Sequence, residues 1–237
     1  MRAGGIVGVL GGMGPAATVE FFRRLVAATP AGIEQEHLHV LIDDDPSVPD
    51  RTDAILRRGP SPAPRLQAMA RRLETAGADL LVMPCNTAHV YIGEIRAAVS
   101  VPVLDMVGET VKTIDRPTVG LLATDGTIRA KLYQEACEAR GIRLALPNST
   151  DQRAIMEAIA GIKRGEDPRS VEESIATIVR RLEHDGAEAL IAGCTEISLV
   201  RGDGMEIPWI DALDRLVEAT LRNAWPNDRP GDGKEAE

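Results

Sequence analysis

The chain has 237 residues, room for one large domain or two of about 100 residues each. Its composition is that of a globular protein, 44% hydrophobic and 27% charged, but only six residues are aromatic, so the core must be aliphatic. The net charge of −9 and the scarcity of rings for stacking on bases argue against nucleic acid, and the charge also disfavours an anionic membrane surface.

Short apolar β-type runs alternate with longer amphipathic stretches. Strands are predicted over 6–10, 38–42, 80–84, 101–104, 118–123, 142–146, 190–193 and 207–210. Helices are predicted over 15–28, 62–76, 87–99, 108–115, 126–140, 149–164, 168–185 and 211–224. Several strands are unbroken apolar runs, as expected where helices cover both faces of a sheet. The fold class is therefore α/β, with mostly parallel sheets. No apolar run reaches the roughly 18 residues of a membrane span. The N-terminus has no signal-peptide cleavage site. Three cysteines without a disulfide spacing read as free thiols in a cytoplasmic protein.

The chain contains a repeat. Residues 71–85 read RRLETAGADLLVMPC and residues 180–194 read RRLEHDGAEALIAGC, displaced by 109 positions throughout. Further upstream, IVGVLGGMG (6–14) matches TVGLLATDG (118–126) at a displacement of 112. Two open α/β domains of similar topology follow: 1–107 together with 211–225, whose helix packs back, and 114–210. The Pro/Gly/charge-rich residues 226–237 are expected to be disordered. Ligands of open α/β sheets bind beyond the carboxyl ends of the strands. Cys85 and Cys194 both fall there, each just before a predicted helix whose first N–H groups would favour an anion and lower a thiol's pKa. Cys137 lies in a helical run without a repeat partner and is assigned to packing.

Other motifs have competing readings. Gly11–Ala17 (GGMGPAA) contains G-x-G-x-x-A after a strand, with Asp43 as a possible ribose acid, but Pro15 lacks one of the N–H groups that would cradle pyrophosphate. A glycine-permitted tight turn is the preferred reading. In the polar loop 43–52, Arg51 could grip a carboxylate or pair with Asp50. Lys163 reads as an exposed helix-end cation. Cys85 and His89 could form a nucleophile pair, which would leave Cys194 unexplained. They could also ligate a metal, but zinc usually needs three or four ligands and no Cys-x-x-Cys or His-x-x-x-His is present.

Taken together, GGMGPAAT, PDRT, MPCNTAH and AGCTE resemble the cofactor-independent aspartate/glutamate racemase family, and among its members most closely the aspartate racemases, over roughly residues 4–222. The resemblance implies two pseudo-symmetric α/β domains with the active site between them. It implies a small amino-acid substrate, a homodimer, and no pyridoxal phosphate, metal or nucleotide. By position, Cys85 and Cys194 match the two catalytic cysteines, Cys85 acting on the D- and Cys194 on the L-enantiomer. Asn86, Thr87 and Thr195 match the residues holding the substrate's carboxylate and amine. Arg51 matches the carboxylate-binding arginine, and Lys163 a basic residue used similarly. Thr124 lies in the second-half turn lining the cleft, and Met13 is counted with the substrate-binding residues. One departure stands out: Asp43-Asp44-Asp45 precedes PDRT where asparagine is expected. A carboxylate of that run facing the pocket would repel an acidic side chain, leaving room for glutamate or a broader amino-acid range. Dicarboxylate isomerases and decarboxylases of the wider superfamily, and a non-catalytic amino-acid-binding module, are the alternatives.

Overall fold

A computed structural model describes residues 4–200 and 206–225; the predicted disordered tail lies outside them. Among the described residues, seven parallel strands form two sheets. The first, in the order β2-β1-β3, consists of β1 (Val7–Gly11), β2 (Val40–Asp44) and β3 (Leu80–Val82). The second, β5-β4-β6-β7, consists of β4 (Thr118–Ala123), β5 (Arg143–Ala145), β6 (Ala189–Gly193) and β7 (Trp209–Asp211). The helices are α1 (Pro15–Ala28), α2 (Arg51–Ile55), α3 (Ala63–Thr75), α4 (Ile92–Arg96), α5 (Met106–Lys112), α6 (Asp125–Arg129), α7 (Leu132–Glu138), α8 (Ser149–Lys163), α9 (Glu172–His184) and α10 (Ala212–Ala224).

The sequence repeat is a structural repeat. Helices α3 and α9 begin and end 109 positions apart. Their buried stripes correspond residue for residue: Leu66, Met69 and Leu73 in one, Ile175, Ile178 and Leu182 in the other. This spacing puts each trio on one helix face, and each such side chain contributes roughly 1.5–3 kcal/mol when buried. Strand registers agree as well, with Gly8 opposite Leu81 and Gly120 opposite Leu190. Both glycines are needed for contact. A Cβ on Gly8 would lie 2.6 Å from Leu81 Cδ2 and 2.9 Å from Ala78 Cβ; one on Gly120 would lie 2.6 Å from Leu190 Cδ2. Missing side chains on the central strands thus let the two equivalent helices settle onto their sheets.

Helices cover both faces of each sheet. The first sheet packs against α3 and α4 on one face, and on the other against Phe21 and Leu25 of α1, Met106 of α5 and Leu213, Leu216 and Val217 of α10. The second packs against α8 and α9 on one face and α5 and α7 on the other. Helix α5 thus serves both cores: Met106 joins the first, and Val107 and Val111 the second.

Four predicted elements differ. Residues 101–104 form a single parallel bridge, Leu81 to Val103, because Pro102 can accept but not donate. The predicted helix 87–99 begins as a 3-10 turn, Thr87–Tyr91, before α4. An α-helix would give Cys85 O to the His89 N–H. Instead the His89 side chain takes that carbonyl, and the N–H turns to Asn86 O at 3.0 Å. The helix 126–140 is broken at Lys131, which is left-handed (φ 59°), so α6 and α7 are separate helices. The polar loop 43–52 ends in α2, capped by the Asp50 carboxylate on the Asp53 N–H at 2.8 Å.

Candidate active site

The carboxyl ends of both sheets open onto one cleft of about 320 Å³. Its walls come from the turn after β1 (Gly12–Ala17), the loop into α2 (Pro46–Arg51), the end of α8 (Ile162, Lys163) and the turn after β6 (Thr195, Glu196, Leu199). Gly12 is required here by conformation: its φ is +85°, and a Cβ would lie 2.3 Å from the Asp45 backbone.

Cys85 and Cys194 are similarly buried, 6% and 5% exposed, and neither is among the residues lining this cleft. Both thiols act electrostatically on the Lys163 ammonium, which places them about one cation. Their surroundings differ. Behind Cys85, Met106 N–H donates to His89 Nε2 at 3.0 Å, so the ring proton sits on Nδ1 and is donated to Cys85 O at 2.8 Å. Burial lowers this imidazole's pKa, so the ring is neutral. With both nitrogens engaged by backbone, His89 serves neither as a base for Cys85 nor as a metal ligand.

Beside Cys194 stands a carboxylate. The thiol donates to Glu196 Oε2 at 2.9 Å, and Thr195 Oγ1 reaches the same oxygen at 3.4 Å. Glu196 is itself buried. Burial, and then the Glu196 charge, push the Cys194 pKa well up, with Lys163 opposing. The expectation that helix N-termini would lower this pKa fails: a turn precedes only a three-residue 3-10 segment, Ile197–Leu199, and burial, then the adjacent carboxylate, raises it. Ser198 anchors the turn from behind, its hydroxyl donating to Asp211 at 2.6 Å, while Arg24 donates to the other oxygen of Asp211 at 2.6 Å. Glu196 is the last residue of the AGCTE motif, and its place two residues after Cys194 was the one sequence signal of this contact.

Arg51 is buried, and the reading in which it pairs with Asp50 is overturned because that carboxylate caps α2. The guanidinium donates instead to Val48 O, Pro49 O and Met13 O at 3.2–3.3 Å, and its Nε has no partner. Among the described residues, no carboxylate forms an ion pair with it. A buried cation with a spare donor is a receptor for an anion. Met13 packs its side chain into the first core beside Cys85 and contributes through its carbonyl. Lys163 closes α8 with its side chain exposed while lining the cleft. Desolvation there acts to lower its pKa, but Glu196, then Cys194 and Cys85, raise it overall.

Asn86 is buried with its Nδ2 unpartnered; its Oδ1 accepts from the Tyr133 hydroxyl at 2.6 Å. Thr87 from the first half meets Thr124 and Thr127 from the second in a hydroxyl triangle of 2.9–3.1 Å edges. Thr124 also caps α6. Tyr133 and Thr127 were not legible in the sequence because their partners in the first half, Asn86 and Thr87, lie 47 and 40 residues away. Asp43 and Asp45 turn from the cleft to Arg72 (2.7 Å) and Arg65 (2.5 Å), and Asp44 does not line it. Arg65, then Ser47, holds the Asp45 pKa down to about 2. With Asp43 committed to Arg72, it is not offered to a ribose either. Cys137 is buried in the second core, where burial raises its pKa to about 11.

Two repeated α/β sheets whose carboxyl ends open onto one cleft, with a buried thiol after a strand of each, are the arrangement of an amino-acid racemase family. The family model described as Asp/Glu/Hydantoin racemase matches residues 10–220, and the chain belongs to that family. It is 30% identical to the broad specificity amino-acid racemase RacX of Bacillus subtilis over 223 residues, 91% of this chain and 96% of that protein. It is 26% identical to the glutamate racemase of Desulforudis audaxviator, over 65% of this chain and 61% of that one. The solved Picrophilus torridus aspartate racemase superposes with a TM-score of 0.84 at 30% identity, covering 92% of this chain and 94% of that one.

Proposed function

We propose that this chain is a cofactor-independent racemase interconverting L- and D-aspartate by proton transfer between Cys85 and Cys194. One observation supports the reading: two buried thiols, one from each repeated half, both act on the Lys163 cation, which lines one cleft with a buried arginine that has no carboxylate partner among the described residues. The α-hydrogen is a very weak acid and a thiol a weak base for it, with a reference pKa of about 8.5, so the carbanion-like state must be stabilised. Arg51 takes the α-carboxylate, aided by Asn86 Nδ2. Both contacts gain strength as enolate charge develops in a site screened from water. Lys163 holds the side-chain carboxylate. Thr87, Thr124 and Thr195 orient the amine. One cysteine removes the α-proton and the other delivers a proton to the opposite face.

Commitment of Asp43 and Asp45 to arginines supports an acidic substrate. A broader amino-acid range is the second reading, favoured by the apolar lining from Pro46, Val48, Ile162 and Leu199. The proposal includes a cytoplasmic homodimer and two domains dividing near 107–114, with α10 belonging to the first. Among the described residues no helix is long and apolar enough to cross a membrane. Incubating single amino acids with the protein in deuterated water, without added cofactor, tests the reading by NMR. Loss of the α-proton with inversion supports it and names the substrate. Binding without exchange indicates a binding module, and loss of carboxylate a decarboxylase.

A further inference from the structure

The residue four places after each cysteine plays the same part in both halves. In the first half it is His89, which donates to Cys85 O at 2.8 Å and accepts from the N–H of Met106, the first residue of α5, at 3.0 Å. In the second it is Ser198, displaced by the same 109 positions. The Ser198 backbone N–H donates to Cys194 O at 3.2 Å, and its hydroxyl donates to Asp211 Oδ1 at 2.6 Å. Asp211 caps α10 as Asp105 caps α5. PVLD (102–105) and PWID (208–211) repeat, and each carboxylate accepts from the N–H two residues on, Val107 at 3.0 Å and Leu213 at 2.8 Å. Each cysteine turn is thus tied by one residue to the start of a helix, α5 or α10.

The serine is shorter than the imidazole, and its bond ends on a carboxylate rather than on a backbone N–H. A carboxylate as buried as Asp211, 6% exposed, requires a cation. Arg24 supplies it, donating to Asp211 Oδ2 at 2.6 Å and to Ser198 O at 3.4 Å. Arg24 lies on α1, whose first turn lines the cleft from the first half, so the second tie crosses between the halves. We infer that Ser198, Asp211 and Arg24 are positioning residues. They hold the turn carrying Cys194 and Thr195 against the first half, and so set the gap across which the proton is passed. None of the three lines the cleft itself except through that turn. The effect on turnover rests on the racemase reading; the hold on the turn does not.

The test compares the full-length protein with its Ser198→Ala, Ser198→Thr and Ser198→Val variants. The last two have nearly the same shape and differ by the hydroxyl. The first readout is labelling by iodoacetamide, resolved by peptide mass spectrometry. A thiol only 5% exposed reacts through local opening of its turn. Losing a hydrogen bond to a charged group should make that opening, and Cys194 labelling, about tenfold or more faster in Ser198→Ala, with Cys85 nearly unchanged. The second readout is kcat against KM for the amino acid that the parent turns over. Misplacing a reacting group by about 1 Å costs on the order of 100-fold, so kcat should fall at least about tenfold in Ser198→Ala and Ser198→Val, and less in Ser198→Thr. KM, which depends on Arg51 and Lys163, should move much less. Arg24→Lys keeps the charge but loses the fork that reaches both Asp211 and Ser198 O, so it should loosen Cys194 in the same sense. Combined with Ser198→Ala it should add little. Cys194 labelling indifferent to Ser198→Ala, equal kcat in Ser198→Thr and Ser198→Val, or faster labelling with an unmoved kcat overturns the inference. A parent inert toward every amino acid refutes the racemase reading instead, and labelling then decides the hold on the turn by itself.

Discussion

The Tyr133 hydroxyl donates to the Asn86 amide oxygen at 2.6 Å, joining the core of the second half to the segment after β3 of the first. Burial raises the phenol's pKa far above its usual value, so the group stays protonated and must donate. That fixes the amide orientation and leaves Nδ2 without a hydrogen-bond partner. Tyr133→Phe leaves Asn86 Oδ1 buried without a donor, a cost of about 1–3 kcal/mol. Denaturant unfolding should register that loss. In kinetics, KM should rise more than kcat falls, because the amide is free to turn over.

Cys85→Ala and Cys194→Ala should each abolish racemisation, whereas Cys137→Ala should leave it nearly intact. The assay is inversion of the candidate amino acid followed by circular dichroism. Full activity in the Cys194→Ala protein would sink the two-base mechanism.

Arg51→Lys keeps the charge and loses the fork. A lysine cannot donate together to Val48 O, Pro49 O and Met13 O while presenting a further N–H to substrate. Losing one hydrogen bond to a charged group, about 1.5–3 kcal/mol, corresponds to roughly a 10- to 150-fold rise in KM. An unchanged KM would remove Arg51 from the binding site.

His89 gives stability a pH dependence whose sign follows from its burial. The native imidazole is neutral with a lowered pKa, while the unfolded residue titrates near 6.5. Below that pH the unfolded chain binds a proton that the native chain rejects. Stability should therefore be full above about pH 6.5 and decline as pH falls toward the native pKa. His89→Gln should be less stable than the parent at neutral pH but lose less on acidification. Urea midpoints at neutral and mildly acidic pH measure the difference.

Gly8→Ala should be costlier than Gly120→Ala, although the two glycines are equivalent in the repeat. At Gly120 the new methyl meets the movable end of Leu190, but at Gly8 it also meets Ala78 Cβ at 2.9 Å, which cannot rotate away. Overpacking of this kind costs roughly 1–3 kcal/mol, with the upper part of that range expected at Gly8. Equal midpoints for the two variants in thermal unfolding would contradict this packing account.

The parallel sheets were legible in the unbroken apolar runs, and the repeat was legible because duplicated packing leaves duplicated Leu, Gly and Cys positions. Boundaries were misread where a tertiary partner takes over a backbone group. The His89 side chain occupies Cys85 O and tightens a predicted helix into a 3-10 turn. Pro102 reduces a predicted strand to one bridge. Arg51 read evenly between gripping a carboxylate and pairing with Asp50, because spacing cannot reveal that Asp50 caps a helix.

Sequence alone determined that two thiols would stand at matching strand ends, since that follows from periodicity and repetition within the chain. Only the tertiary structure decided how they differ. Glu196 is placed against one sulfur, the three carbonyls around Arg51 leave its Nε unpaired, and Asp43 and Asp45 are drawn to Arg72 and Arg65. The physical reason is range. Hydrophobic patterning is written in neighbours three or four residues apart, whereas protonation and charge depend on groups within a few ångströms in space, wherever they lie in the chain.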